Sequence, residues 1–526
     1  MLSEDVLLNI FHHYLCASQQ FWPTLTRVCR SWRQTIFNSP LGLNLRLYCT
    51  YGTPVLNTLE CWPPLPLIVN YGGSPELDPP APEDEENIVA ALQHSSRVSS
   101  ISLTVTESLF PKLSTISQPF SELEELVLLS SDNVRLTLPC TFRWGTRLLT
   151  LQSTGIAFPS FPRLLSNCQD LVYLQLHEIP SSGYFSPEAF ASALSGKTQL
   201  ETFSLHFLSL PPRQNYLGLP PMSSERIVLP ALTCLKYRGT SKYLDSLVAR
   251  IDAPLLGDID ITFFSQPTVD ASQLGRFIER IEIQMSLSQA DIEISAGAIS
   301  ICFSQPGAST KLKLQISCEQ LDWQLSSMAQ ICDQFSPFLF RVNDLGVSST
   351  QPPNGKDDTD DEHWKDLIRP FGSAKDFRVA GGHVTDVLCA SRPVYGWHTT
   401  VLPSLHKLCV QEPMPIVGPL WDAAQSFITS RGLSGRPVEL YVPHLLCHLC
   451  RTNFARLQEL KRHLVDRHML QKVCPLCGSF KWSQGRSHLF QAHLASKHPE
   501  IAHTDPFISN TSLDTFPIFT SGYQGK

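Results

Sequence analysis

The sequence predicts an α/β fold: an irregular solenoid of short strands with helical or irregular returns, a helical segment at its N-terminal end and two small ββα modules at its C-terminal end. Three observations carry this. An apolar-x-x-apolar-x-apolar phrase recurs between Ser96 and Gln411. Two apolar stripes at helical spacing fill the segment before Pro40, and two C-x2-C pairs with spaced histidines stand near the C-terminus.

Ser3 can cap a first helix whose first turn carries Glu4 and Asp5, where carboxylates favour the open amides. Val6, Leu7, Ile10, Phe11, Tyr14 and Leu15 fall on one helical stripe. After Pro23 a second stripe runs through Leu25, Val28, Cys29, Trp32 and Ile36, and Asn38-Ser39-Pro40 ends it. So few short helices bury no core alone and must pack on the repeats or on a partner. The runs L-S-E-D-V-L-L-N-I-F-H-H-Y-L and L-T-R-V-C-R-S-W-R-Q-T-I resemble an F-box, with Ser3 where that family usually has proline. The resemblance implies that residues 1–45 dock onto the small adaptor of a cullin-type, SCF-like ubiquitin ligase. By motif position the docking residues are Leu2, Val6, Leu7, Ile10, Phe11, Leu15, Val28, Cys29 and Trp32.

Residues 46–95 read as a linker and N-terminal cap, with Ser74–Glu86 expected as a solvated surface loop. The phrase then appears as Val98, Ile101, Leu103 and as Leu123, Leu126, Leu128, with a worn copy at Leu148. It continues as Leu171, Leu174, Leu176, as Leu200, Phe203, Leu205, as Leu232, Leu235, Tyr237 and as Leu256, Ile259, Ile261. Further copies read Ile278, Ile281, Ile283, then Val342, Leu345, Val347, then Leu405, Leu408, Val410. Successive starts from Val98 to Ile278 are 25, 25, 23, 29, 32, 24 and 22 residues apart, the period of leucine-rich repeats. Each unit buries its apolar edge only by stacking on a neighbour. Helical returns are expected at Pro187–Leu194 and Tyr243–Ile251, and Ser286–Gln334 is less regular, with Leu312, Leu314 and Ile316 alternating as in a strand. Gln351–Glu362 reads as an exposed acidic loop. A last helix through Leu420, Trp421, Ala424, Phe427 and Ile428, stopped at Gly432, closes a solenoid over 96–435. The runs L-R-L-Y-C-T-Y-G-T-P-V, A-P-E-D-E-E-N-I-V-A-A-L and L-P-A-L-T-C-L-K-Y-R-G-T-S-K-Y-L-D-S-L are similar to a fungal F-box family with divergent leucine-rich repeats. That similarity implies repeats that hold a protein target.

Cys447-x2-Cys450-x12-His463-x4-His468 has the spacing of a tetrahedral zinc site, two thiolates on a tight turn facing two imidazoles one helical turn apart. Phe454 and Leu460 occupy the places of a finger's small core. A second unit reads Cys474, Cys477, His493 and His498, with His488 a rival ligand that would pair with His493. Residues 441–470 and 471–500 are thus two expected zinc fingers, each with four protein ligands and a structural ion, and 501–526 is an expected disordered tail. Nine Lys/Arg against Glu459 and Asp466 give the span Tyr441–His498 a local charge of +7, while the whole chain carries −7. That charge favours phosphate contact, and a finger helix would present Arg456, Glu459 and Arg462 to nucleic acid, the alternative function.

Twelve of sixteen cysteines are scattered singly, which reads as a reducing compartment, cytoplasmic or nuclear. No stretch approaches a membrane span. P-loop, H-E-x-x-H, G-x-S-x-G and G-x-G-x-x-G fingerprints are lacking, so a binding protein rather than an enzyme is expected.

Overall fold

A computed structural model describes residues 3–442 apart from 18–21, 41, 52–54, 56–58, 60–61, 73–80, 132–135, 139–141, 159, 211–225, 267, 282–286, 308–309, 351–360, 393–400, 412–413 and 416–418. Beyond 442 it describes 445–446, 452–454, 459, 463, 472–473, 481–482, 492–493 and 496–497. The chain divides into two compact units, Met1–Leu408 with Phe427–Glu439, and Cys409–Ser426 with Leu440–Lys526.

The first unit is built on a large, mostly parallel sheet. Its strands are β1 (Leu47–Cys49), β2 (Leu67–Tyr71), β3 (Val98–Val105), β4 (Glu125–Ser130), β5 (Thr150–Thr154), β6 (Tyr173–Ile179), β7 (Thr202–Phe207) and β8 (Cys234–Gly239). They continue as β9 (Asp258–Phe264), β10 (Gln289–Ser295), β11 (Ala298–Ser304), β12 (Lys311–Ser317), β13 (Asp344–Ser349) and β14 (Asp376–Gly381). From β1 to β9 the order in space is the order in the chain.

The phrase makes this sheet because its last two apolar places lie two apart and share one face of a strand. In register, Ile101, Leu126, Leu151, Leu174, Phe203, Leu235, Ile259 and Leu312 form one buried row. Leu103, Leu128, Ser153, Leu176, Leu205, Tyr237, Ile261 and Leu314 form the next, so the worn copy differs by putting Ser153 where an apolar residue stands. The residue ahead of each strand repeats one hydrogen-bond device. The Glu124 carbonyl accepts from Leu149 N (2.8 Å) and Thr150 N (3.0 Å), that of Leu149 from Val172 N (2.8 Å) and Tyr173 N (3.0 Å), and that of Val172 from Glu201 N (2.9 Å) and Thr202 N (3.2 Å).

Helices cover the apolar rows. Pro187–Leu194 is helical as expected, with Phe190 set 5.5 Å from Phe203 of β7, and the Tyr243 return is helix Ser241–Val248. The strands at Leu47 and Leu67 carry the sheet back into the 46–95 segment.

Four expectations are corrected. Ile278 does not open a strand phrase: it lies in helix Ser272–Arg280, buried with Leu274 and Phe277. The phrase's first step, i to i+3, is also a helical step, and here the helix wins. The less regular stretch after Ser286 is an antiparallel meander, β10–β11–β12, lying in the order β9-β12-β11-β10-β13, in which Leu312, Leu314 and Ile316 alternate along a strand as expected. Its two-residue turn Ala296-Gly297 is a hairpin connection and carries no repeat phrase. Glu85 is not part of a solvated charge run: Pro82–Leu92 is a helix, and the Glu85 carboxylate is buried on Lys112 Nζ (2.8 Å), Thr106 Oγ1 (2.9 Å) and Ser108 Oγ. Burial pushes its pKa up, but those donors outweigh it and hold the acid below the ordinary value. The last helix, Pro419–Leu433, runs past Gly432. Gly435 is its left-handed residue (φ 74°), with Arg436 N donating to Arg431 O and Gly435 N to Gly432 O, the Schellman pattern. Of the acidic run 351–362, residues 351–360 lie outside the described residues, and Asp361 opens helix Asp361–Ile368.

Candidate functional site

Two surfaces of the first unit gather side chains suited to binding. The first is the N-terminal helix pair, α1 (Glu4–Ala17) and α2 (Arg30–Asn38). A helix returns to one face every four residues, and α1 has two such lines side by side. Leu7, Phe11 and Leu15 are buried, and the Phe11 ring meets Trp32 of α2 edge-on with centroids 4.9 Å apart. Val6, Ile10 and Tyr14 stay 42%, 46% and 45% exposed, and Val28, before α2, is 59% exposed. Cys29 caps α2, its Sγ accepting from Trp32 N at 3.4 Å. Trp22 ties the pair to the array by donating from Nε1 to Arg46 O (2.7 Å) and packing on Trp62 (4.9 Å). Of the nine residues singled out from the sequence, Val6, Ile10 and Val28 face outward, Leu7, Phe11 and Leu15 hold the pair together, and Leu2 lies outside the described residues.

The second surface is the polar face of the central strands, which sequence reasoning did not pick out. Register sets Gln175, Ser204, Lys236, Asp260 and Lys313 in one row and His206, Arg238, Thr262 and Gln315 in the next. Pairing of β6 with β7 shifts between Leu176 and Ile179, a bulge that sets His177 and Glu178 opposite His206, with Glu178 at φ 52°. The His177 and His206 rings stack at 4.0 Å, 1° from parallel.

A directional chain of hydrogen bonds joins them. Tyr173 Oη donates to Gln175 Oε1 (2.5 Å), and Gln175 Nε2 faces His177 Nδ1 at 2.8 Å. An amide nitrogen only donates, so that ring nitrogen accepts and His177 carries its proton on Nε2, 2.8 Å from Ser204 Oγ. Ser204 then turns its own hydroxyl hydrogen to His206 Nε2 (3.4 Å), leaving His206 its proton on Nδ1. Burial first, and then the positive charge of Lys236, lowers His177 to about 4. Burial, then His177, Arg238 and Lys236, lowers His206 to about 4 as well. Both imidazoles are therefore neutral donors and acceptors at pH 7.

In the second unit, Leu445–Leu446 pairs antiparallel with Asn453–Phe454, and Lys472–Val473 with Lys481–Trp482. Leu445–Leu446 also pairs in parallel with Met414–Pro415, and each antiparallel pair has one C-x2-C pair in the sequence between its strands. His463 and His493 are helical and half-buried, and Glu459 is helical and exposed. Cys447, Cys450, His468, Cys474, Cys477, His488, His498, Arg456, Arg462 and the tail 501–526 lie outside the described residues. No helix among the described residues is long and apolar enough to cross a membrane. No protein-family model and no curated protein matches the chain.

Proposed function

We propose that the chain is the substrate-recognition subunit of a cullin-type ubiquitin ligase, with an F-box-like N-terminal segment docking the adaptor and a leucine-rich-repeat solenoid holding a protein target. The observation that carries this reading is the apolar line Val6, Ile10 and Tyr14 with Val28, left in solvent while its neighbours Leu7, Phe11 and Leu15 are buried. A helix pair serving only to cap the first repeat has no reason to keep such a line uncovered. The test is capture of the adaptor by the full chain and by Ile10→Asp/Val28→Asp. Both changes lie in solvent, so loss of capture with unchanged thermal unfolding supports the reading; capture by the double variant, or none by the wild type, ends it.

Two zinc ions belong to this proposal as structural ions, on Cys447, Cys450, His463 and His468 and on Cys474, Cys477, His493 and His498. The ribbons around both cysteine pairs supply the ββ part of such a module, and thiolate with imidazole suits zinc. Metal analysis of purified protein should return two zinc per chain, falling to one for Cys447→Ser and for Cys474→Ser. The local charge of +7 favours a second reading, nucleic-acid binding by residues 441–498. It predicts retention on DNA or RNA that weakens with salt and with Arg456→Ala/Arg462→Ala.

A further inference from the structure

We propose that one water molecule is held between Trp364 Nε1 and His383 Nε2, and that it joins helix Asp361–Ile368 to helix Val384–Ala390. The site uses neither the N-terminal helices nor the polar strand rows, so it stands apart from the ligase reading.

The two helices flank β14 in the chain, one before it and one after it. Trp364 is fully buried on the face of the first helix that it shares with Leu367 and Ile368. His383 stands at the N-cap of the second, with 5% of its surface exposed. Their ring centres are 6.0 Å apart. Neither Trp364 Nε1 nor His383 Nε2 has a hydrogen-bond partner among the described residues, and both atoms are closed off from solvent. In the unfolded chain each bonds to water, so burying both unpaired would forfeit two hydrogen bonds at once. Two orphaned nitrogens this close, one at each helix, point to a shared partner.

The chemistry of that partner is set from both ends. An indole N–H only donates. His383 Nδ1 lies 3.0 Å from Asp386 Oδ2, and a carboxylate only accepts, so in the neutral ring Nδ1 holds the hydrogen and Nε2 presents a lone pair. The partner must therefore accept from the tryptophan and donate to the histidine. A cation would face the indole N–H, and an anion would face the imidazole lone pair. A metal ion would also need further ligands, and no group of three or more ligating side chains gathers among the described residues. A hydroxyl satisfies both ends, and with both nitrogens enclosed the hydroxyl that fits belongs to a water molecule. Size agrees. Two hydrogen bonds of about 2.9 Å meeting at one oxygen span about 4.7 Å, a reach suited to rings at this separation. Asp386 completes the arrangement: its side chain, 41% exposed, holds the ring at the first turn of the second helix and leads the chain Trp364–water–His383–Asp386 out to solvent.

The experiment is a high-resolution crystal structure of the full chain, paired with water–protein cross-relaxation NMR on its deuterated, isotope-labelled form. The crystal should show one density peak within about 3.2 Å of both nitrogens. In solution the Trp364 indole signal, identified by its loss in Trp364→Phe, should show a cross-peak to a long-lived water. His383→Phe should abolish that cross-peak while the other indole signals keep their positions. A direct bond between the two nitrogens, another protein group on either of them, or an indole signal without a long-lived water overturns the proposal. The crystal is read on the unaltered chain, so a variant that fails to fold leaves that test intact.

Discussion

Lys197 is fully buried, and its Nζ has no hydrogen-bond partner among the described residues. Burial pushes its pKa down, against a smaller opposing pull from Cys168, whose Sγ accepts from Trp144 Nε1. An amine held there costs desolvation with no hydrogen bond in return, so Lys197→Met should raise unfolding free energy by about 1–3 kcal/mol, read by urea titration. Burial shifts the two histidines in the same direction as Lys197. Their folded values near 4 lie below the ordinary 6.5, so between those values the unfolded chain binds protons that the folded chain does not. Stability from this pair is fully present above pH 6.5 and is lost as pH falls through about 4. Unfolding of wild type and His177→Gln/His206→Gln across that window should show the slope flattened in the variant. The apolar rows were legible in the sequence because burial demands one residue class at fixed spacing. The histidine pair was not, because its members sit in different repeats and meet only through strand register and a bulge.

At the scale of the element, α1 shows what composition hides. One stripe of six apolar residues in the sequence divides in the structure into a packed line and an open line, and only the partner helix decides which is which. Phe11→Ala should therefore cost about 3–5 kcal/mol, whereas Ile10→Asp should leave thermal unfolding nearly unchanged and act on adaptor capture alone. Substituting Leu7 would confuse the two effects, since Leu7 is also buried. Helix Ser272–Arg280 shows a dependence of another kind. Its own N-cap, Ala271, has no side-chain acceptor, and Asp245 of the preceding helix accepts from Gln273 N (2.7 Å) and Leu274 N (3.0 Å) instead. Asp245→Ala should cost about 1 kcal/mol by loss of this cap and loosen Ser272–Arg280 first, visible as faster amide exchange there. A local reading of the sequence places such a cap on the residue before the helix and so misses a donor-acceptor pair formed between helices.

Across the whole first unit, strands from β1 to β9 touch chain neighbours, so stability there is a sum of local terms and neighbour interfaces. Leu345→Ala, in β13 between Ala290 of β10 and Phe377 of β14, should cost about 2–5 kcal/mol. Hydrogen exchange should then quicken in β10, β13 and β14 more than in β3 to β5, while a uniform increase would mean one all-or-none block. The parallel array was legible in the sequence from β3 to β9, where the strands carry the phrase, and not at β1 and β2, which lack it. The meander was not, since antiparallel pairing needs only alternation and a tight turn.

That meander also changes how the sheet can come apart. The chain leaves β9, passes over the places of β12 and β11 to lay down β10, returns through β11 to β12 beside β9, and passes over β11 and β10 to reach β13. Its two overpasses are fastened to each other, Gln330 and Gln334 of helix Leu321–Gln334 accepting from Val269 N (3.2 Å) and Ala271 N (2.6 Å) ahead of helix Ser272–Arg280. Elsewhere the array can be peeled from an end, one strand at a time. At this clasp the next strand in space is not the next in the chain, so peeling from either side must release both overpasses together, and the clasp becomes a kinetic stop between two halves that fray independently.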